Sequence, residues 1–170
     1  MHRHNLSYIF FTRTYNDGSI CALTCNPSFF LDFSTLLRPF SASFKAEHEL
    51  LQSYSYLWDE ALPLSRSVFA KERYNFYHGL TLLKRYKSHY DRIGFFMSQS
   101  HQNAASYYLS HLGDFEQFSE DLLKKGSDLL KIGEKQKILL PPPMQDKNCS
   151  KLCLPEKTLR HPVRGKFGST

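Results

Sequence analysis

The stretch GLTLLKRYKSHYDRIGFFMSQSHQNAASYYLSHLGDFEQFSEDLLKKG, Gly79–Gly126, decides how this chain folds. Leu80–Tyr86 and Tyr90–Ser98 are rich in apolar and aromatic residues with polar interruptions, the composition of strands. Lys87-Ser88-His89 between them is short and polar, so His78–Tyr86 and Tyr90–Ser98 are expected to pair as a hairpin. Asn103 then caps a helix carrying Ala104, Tyr107, Tyr108 and Leu109. Past Gly113, Asp114 is expected to cap a longer helix. Its Phe115, Phe118, Leu122, Leu129 and Ile132 form a buried stripe, and Glu116, Glu120, Lys124, Lys125 and Lys131 take the solvent side. Gly126 and Gly133 each weaken that helix by about 1 kcal/mol relative to alanine.

Upstream, Tyr8–Tyr15 and Ser19–Thr24 flank Asn16-Asp17-Gly18, whose residues adopt left-handed backbone angles readily, so a first hairpin is predicted. Asn26-Pro27 supplies a cap and a first-turn proline, and Phe29, Phe30, Phe33, Leu36 and Leu37 follow at helical spacing until Arg38-Pro39. Ser41–Ser53 has no clear period. Tyr54–Trp58 reads as a short strand or an extended segment. Pro63 and Ser65 open a helix to Tyr74 that presents Leu64, Val68 and Phe69 on one side. Ile138-Leu139-Leu140 adds a short strand or a hydrophobic clasp, and Pro141-Pro142-Pro143 closes the domain. The expected fold is α+β: an antiparallel sheet of about five strands with packed helices over residues 1–140. Residues 141–170 are expected to be a Pro-rich basic linker, a disordered tail.

A chain of 170 residues suits one domain plus a tail, and its 14 Phe and 10 Tyr supply a sizeable core. No run approaches the roughly 18 apolar residues of a membrane span, and Met1–Asn5 lacks the apolar core of a signal peptide, so a cytoplasmic protein is expected. From Pro141 on, Lys147, Lys151, Lys157, Arg160, Arg164 and Lys166 oppose only Asp146 and Glu156, which places four of the six net positive charges there. Such a tail touches anionic partners or is a solvated linker; its dispersed cations and lack of stacking aromatics favour the linker.

Metal and catalytic chemistry is thinly supported. Cys21, Cys25, Cys149 and Cys153 form two C-x-x-x-C spacings, but four strand residues span about 13 Å, too far for two ligands of one zinc unless the chain has turned near Cys25. Buried small apolar residues are the plainer reading. Eight histidines are scattered (His2, His4, His48, His78, His89, His101, His111 and His161), and His101 and His111 lie near opposite ends of one helix. Asp59-Glu60 are adjacent, so their carboxylates diverge. Gly-rich phosphate loops, H-E-x-x-H and G-x-S-x-G are missing, so no enzyme activity, metal or cofactor is expected. The aromatics are the better lead. Tyr54, Tyr56 and Trp58 alternate, as do Tyr90 and Phe96; with Tyr107 from the following helix, Tyr54, Tyr56, Trp58 and Phe96 line an apolar ligand pocket or a plain core.

The order of these elements resembles the N-terminal, PAS-like sensor region of LuxR-type helix-turn-helix transcriptional regulators. The likeness rests on Tyr15-Asn16-Asp17-Gly18 with Asn26-Pro27, Leu57-Trp58, His78-Gly79-Leu80-Thr81 and Ile93-Gly94-Phe95. It continues through Tyr107-Tyr108-Leu109, Leu112, Phe115 and Phe118 to Ile138-Leu139-Leu140-Pro141, with an echo in Leu154-Pro155-Glu156-Lys157. It implies an autoinducer-domain-like sandwich that holds a small molecule, or that pairs as a homodimer or as a heterodimer with a full-length regulator. Two departures bear on this. No recognition helix follows the linker before Thr170, so sequence-specific nucleic-acid binding is not expected. Trp58 is the only tryptophan, which weighs against a lactone autoinducer. The expectation is a stand-alone or truncated sensory and dimerisation domain; the alternative is a protein-interaction adaptor on the same scaffold.

Overall fold

Gly18 takes φ +82°, the left-handed angle that the Asn16-Asp17-Gly18 turn requires, and its N–H donates to the Tyr15 carbonyl at 3.0 Å. The Asp17 carboxylate accepts the Ser19 N–H at 2.8 Å and pins the turn to the next strand. The computed structural model describes residues 5–32, 53–62 and 64–139. Its strands are β1 (Leu6–Tyr15), β2 (Ser19–Leu23), β3 (Ser53–Leu57), β4 (Tyr77–Arg85), β5 (His89–Met97) and β6 (Ile138–Leu139). Its helices are α1 (residues 27–32), α2 (Trp58–Ala61), α3 (Leu64–Tyr74), α4 (Ala104–Ser110), α5 (Leu112–Lys125) and α6 (Ser127–Lys135). The expected end of α1 at Phe33–Pro39, the Ser41–Gln52 stretch, Pro63 and everything from Leu140 on, Cys149, Cys153 and the basic tail included, lie outside the described residues.

The fold is α+β, with six antiparallel strands ordered β3-β4-β5-β1-β2-β6. Both expected hairpins form, and they merge where β1 pairs with β5 from Leu6–Met97 to Tyr15–His89. The sixth strand is the short Ile138–Leu139 segment, paired with Ile20 and Ser19. Strand periodicity then sorts side chains onto two faces. Phe11, Ile93, Phe95, Met97 and Leu80 meet Tyr108 of α4, Phe115 of α5 and Leu130 of α6. Tyr8, Phe10 and Phe96 meet Phe29 of α1, Trp58 of α2, Ala70 of α3 and Phe76.

The helices depart from expectation in instructive ways. The single long helix is two, because the Gly126 N–H closes α5 on the Leu122 carbonyl at 2.8 Å and Gly126 then starts α6. That break rotates the stripe: Leu130 is buried, whereas Leu129 and Ile132 are 60% and 55% exposed. Leu122 is exposed too. The cap of α5 is His111 rather than Asp114, which sits inside the first turn, where a carboxylate still favours the helix terminus. Asn103 holds its cap position at φ 59°, without a side-chain cap bond. In α3 Ser67 and Ala70 are buried and Tyr74 packs against the Phe29 ring with centroids 5.1 Å apart, while Leu64 and Val68 face outward. Asn26 caps α1 as expected, its Oδ1 accepting the Phe29 N–H at 3.0 Å.

Gly94 shows how tightly this sheet is packed. A Cβ there would fall within the Phe10 ring, which lies on Gly94 from the paired strand. Gly94→Ala should therefore lower stability by about 1–3 kcal/mol through overpacking, read as a shifted urea midpoint. An unshifted midpoint would show that the Phe10 ring moves aside freely.

Candidate functional site

Register, rather than proximity in sequence, assembles the candidate site. Tyr56 of β3 faces Thr81 of β4, Thr81 faces Gly94 of β5, and Gly94 faces Phe10 of β1, so all four share one face. On the same face Tyr54 lies beside Leu83, Leu83 beside Arg92 and Arg92 beside Thr12; Tyr90 pairs with Thr14. One half of the face is packed solid. Tyr8 stacks on Phe76 with centroids 4.2 Å apart, Phe76 on Phe96 at 4.9 Å, and Trp58 meets Phe96 edge-on at 4.6 Å. Phe29 completes the cluster, 4.7 Å from Phe76. Trp58 and Phe96 are thus core residues with filled surroundings.

Toward β3 and the β4–β5 turn, polar tips replace packed rings. The Trp58 indole Nε1–H donates to Thr81 Oγ1 at 2.8 Å, and the Tyr56 hydroxyl lies beside the same threonine. Burial raises the Tyr56 phenol, against a smaller downward pull from Arg92. The Arg92 guanidinium lies 4.8 Å from the Tyr90 ring centroid and donates to the Tyr90 hydroxyl at 3.4 Å. The Thr14 hydroxyl is enclosed and has no hydrogen-bond partner among the described residues. Tyr54, Tyr56, Thr81, Tyr90, Arg92 and Thr14 therefore make a floor of hydroxyls, rings and one guanidinium, able to orient a molecule with an apolar body.

Of the five residues singled out in sequence, Tyr54, Tyr56, Trp58 and Phe96 share this face; Tyr107 does not. It sits on α4 at the opposite face, stacked on His111 with centroids 4.1 Å apart and edge-on to His101 at 5.0 Å. Its helical neighbour Tyr108 is the residue that reaches inward, donating to the His78 carbonyl at 2.7 Å.

That opposite face holds a charged cluster that sequence reasoning missed. Arg13 donates from Nε and Nη2 to both Asp91 oxygens at 2.7 and 2.9 Å, and from Nη1 to Glu134 of α6 at 2.9 Å. Asp91 is 1% exposed, so the guanidinium is its neutralising partner in the core. That bond raises the Arg13 pKa further. Tyr15 is pushed up to about 12 by burial and the neighbouring Glu134. The Tyr15 hydroxyl and Arg13 hold the Glu134 carboxyl below its usual range. His89 stacks on Tyr86 with centroids 4.6 Å apart, its Nε2 3.8 Å from Asp91. Asp91 and Glu134 pull its pKa upward, but burial and Arg13 outweigh them and lower it. The signal was available: Arg13 and Asp91 both stand at inward positions of apolar strands, where a lone charge demands a partner. Cys21 lies buried under α6 and Cys25 is exposed, both free thiols. No cluster of three metal-ligating side chains exists among the described residues, and no described helix is long and apolar enough to cross a membrane.

No family model matches the chain, and neither does any curated protein or solved structure.

Thr81→Val keeps the shape and removes the acceptor, leaving the indole N–H unpaired in the core. Unfolding in urea should show a loss of about 1–3 kcal/mol; an unchanged midpoint would mean the indole had found another acceptor. The lowered His89 pKa means that the unfolded chain takes its proton more readily. Its stabilising contribution is complete above the unfolded value near 6.5 and is lost as pH falls toward the folded value. His89→Gln should accordingly flatten the decline of melting temperature between pH 7 and 5, and parallel curves would rule this cause out.

Proposed function

We propose that the chain is a sensory or dimerisation domain, similar to the N-terminal half of a LuxR-type transcriptional regulator, that holds a small molecule against the Tyr54–Tyr56–Tyr90–Arg92 floor. One observation carries the reading. A single sheet face passes from contacting rings at Trp58 and Phe96 to hydroxyl and guanidinium tips at Tyr56, Tyr90, Arg92 and the enclosed Thr14. An apolar wall with a few convergent polar groups is the usual form of a small-molecule site. A homodimer, or a heterodimer with a full-length regulator, belongs to the same proposal, as does a cytoplasmic setting, in keeping with the free Cys21 and Cys25 thiols. A second reading, a protein-interaction adaptor, is favoured by the exposed Leu129 and Ile132 of α6 and by Ile138 and Leu139 of β6.

Native mass spectrometry of the purified full chain tests the first of these. The sensor reading expects a retained small molecule that denaturation releases, weakly held in Tyr90→Phe and Thr14→Val variants whose melting temperatures stay near the parent's. Protein without bound mass, and without stabilisation by any member of a metabolite panel, would overturn it.

A further inference from the structure

Helix α6 is attached to the sheet by charge more than by apolar contact. Its inward face is Leu130, Gly133 and Glu134, of which only Leu130 is a buried apolar side chain. Gly133 lies so close to Cys21 that a Cβ there would stand 2.5 Å from the thiol sulfur. Glu134 meets Arg13, which stays in place because its other nitrogens hold the buried Asp91. Beyond the helix, Lys137 Nζ reaches Asp17 Oδ2 at 3.4 Å and lies 4.7 Å from the Tyr15 ring centroid. Two residues of β6 then pair with β2. On the other side of α6 the chain passes through Gly126, where α5 has already closed on its own carbonyl.

We propose that α6 and β6 form a strap that leaves the sheet as one unit, hinged at Gly126 and latched by the Glu134–Arg13 and Lys137–Asp17 ion pairs. Elements with little buried apolar surface open below the free energy of global unfolding. Opening bares the outer edge of β2, whose unpaired backbone groups are then a template for an added strand. It also uncovers the Cys21 thiol, 2% exposed when the strap is docked. The strap is thus a built-in gate over one sheet edge, and its opening requires no ligand on the opposite face.

Site-resolved alkylation of Cys21 by N-ethylmaleimide, run beside amide exchange on the full chain, tests this. Glu134→Gln removes the charge of the latch and keeps the shape of the side chain. Cys21 labelling and exchange across residues 127–139 should both rise about two- to fivefold, the range expected for one partly exposed ion pair. Amides of β4 and β5 should keep the parent's rates. Lys137→Gln should act in the same direction and serves if the first variant folds poorly. If Cys21 labelling instead follows the β4–β5 amides in parent and variants alike, the strap opens only with the whole fold and the proposal fails.

Discussion

The pairing of β1 with β5 makes one sheet out of two hairpins, and the rest of the structure is organised around it. Arg13 and Asp91, which meet across it, are 78 residues apart in sequence. Closing a loop of that length costs about 4 kcal/mol beyond a constant. The offset comes from both faces at once. Phe11, Phe95 and Met97 are buried on one and Tyr8, Phe10 and Phe96 on the other, each worth about 1.5–3 kcal/mol. Each hairpin carries apolar side chains on both faces, and pairing β1 with β5 joins them into the two continuous clusters that the helices cover.

Register along this pair is set by more than apolar matching. A slip of one residue would carry Arg13 to the aromatic face and leave Asp91 in the core without a cation. An unpaired buried carboxylate costs about 3–5 kcal/mol. A buried pair adds little net stability over well-packed apolar residues, so the best account of Arg13–Asp91 is as a register pin. Gly94 is a second pin, steric where the first is electrostatic, because only a residue without Cβ fits beneath the Phe10 ring.

Much of the sheet was legible in the sequence and much of the helical layer was not. Asn16-Asp17-Gly18 and Asn26-Pro27 act through local chemistry, which a sequence displays directly, and the structure keeps both. The period-two runs of β1, β4 and β5 follow the same logic. The Leu129–Ile132 part of the stripe misled because it assumed one helical phase across Gly126, and the break moved Leu130 inward instead. The α3 side marked by Leu64 and Val68 is the outward one, and Ser67 and Ala70 are the residues buried against the ring cluster. At the site, Tyr54, Tyr56 and Phe96 were readable as alternation on strands, and Trp58 followed the same count although the strand ends at Leu57 and Trp58 opens α2. Tyr107 was not, since the side of the sheet that α4 covers depends on tertiary packing. Tyr90 was readable with Phe96 by the same alternation, whereas Thr14 joins the site beside it through β1–β5 register, which has no local signal.

The two faces share the β1–β5 backbone. Along β1 and β5 the pairs Thr12–Arg92, Arg13–Asp91 and Thr14–Tyr90 follow one another, and pleating sends the middle pair to one side and its neighbours to the other. The anchor of the α6–β6 strap therefore lies between the two pairs that floor the aromatic face. A sheet with helices on both faces needs no separate wire between the proposed site and the proposed strap; shared backbone brings their residues next to each other in sequence. The charge on Arg13 makes that proximity consequential, because one guanidinium neutralises Asp91 inside the sheet and holds Glu134 outside it. Because Nε and Nη2 hold Asp91, Nη1 is fixed toward Glu134, so whatever loosens Asp91 loosens the hold on α6 as well.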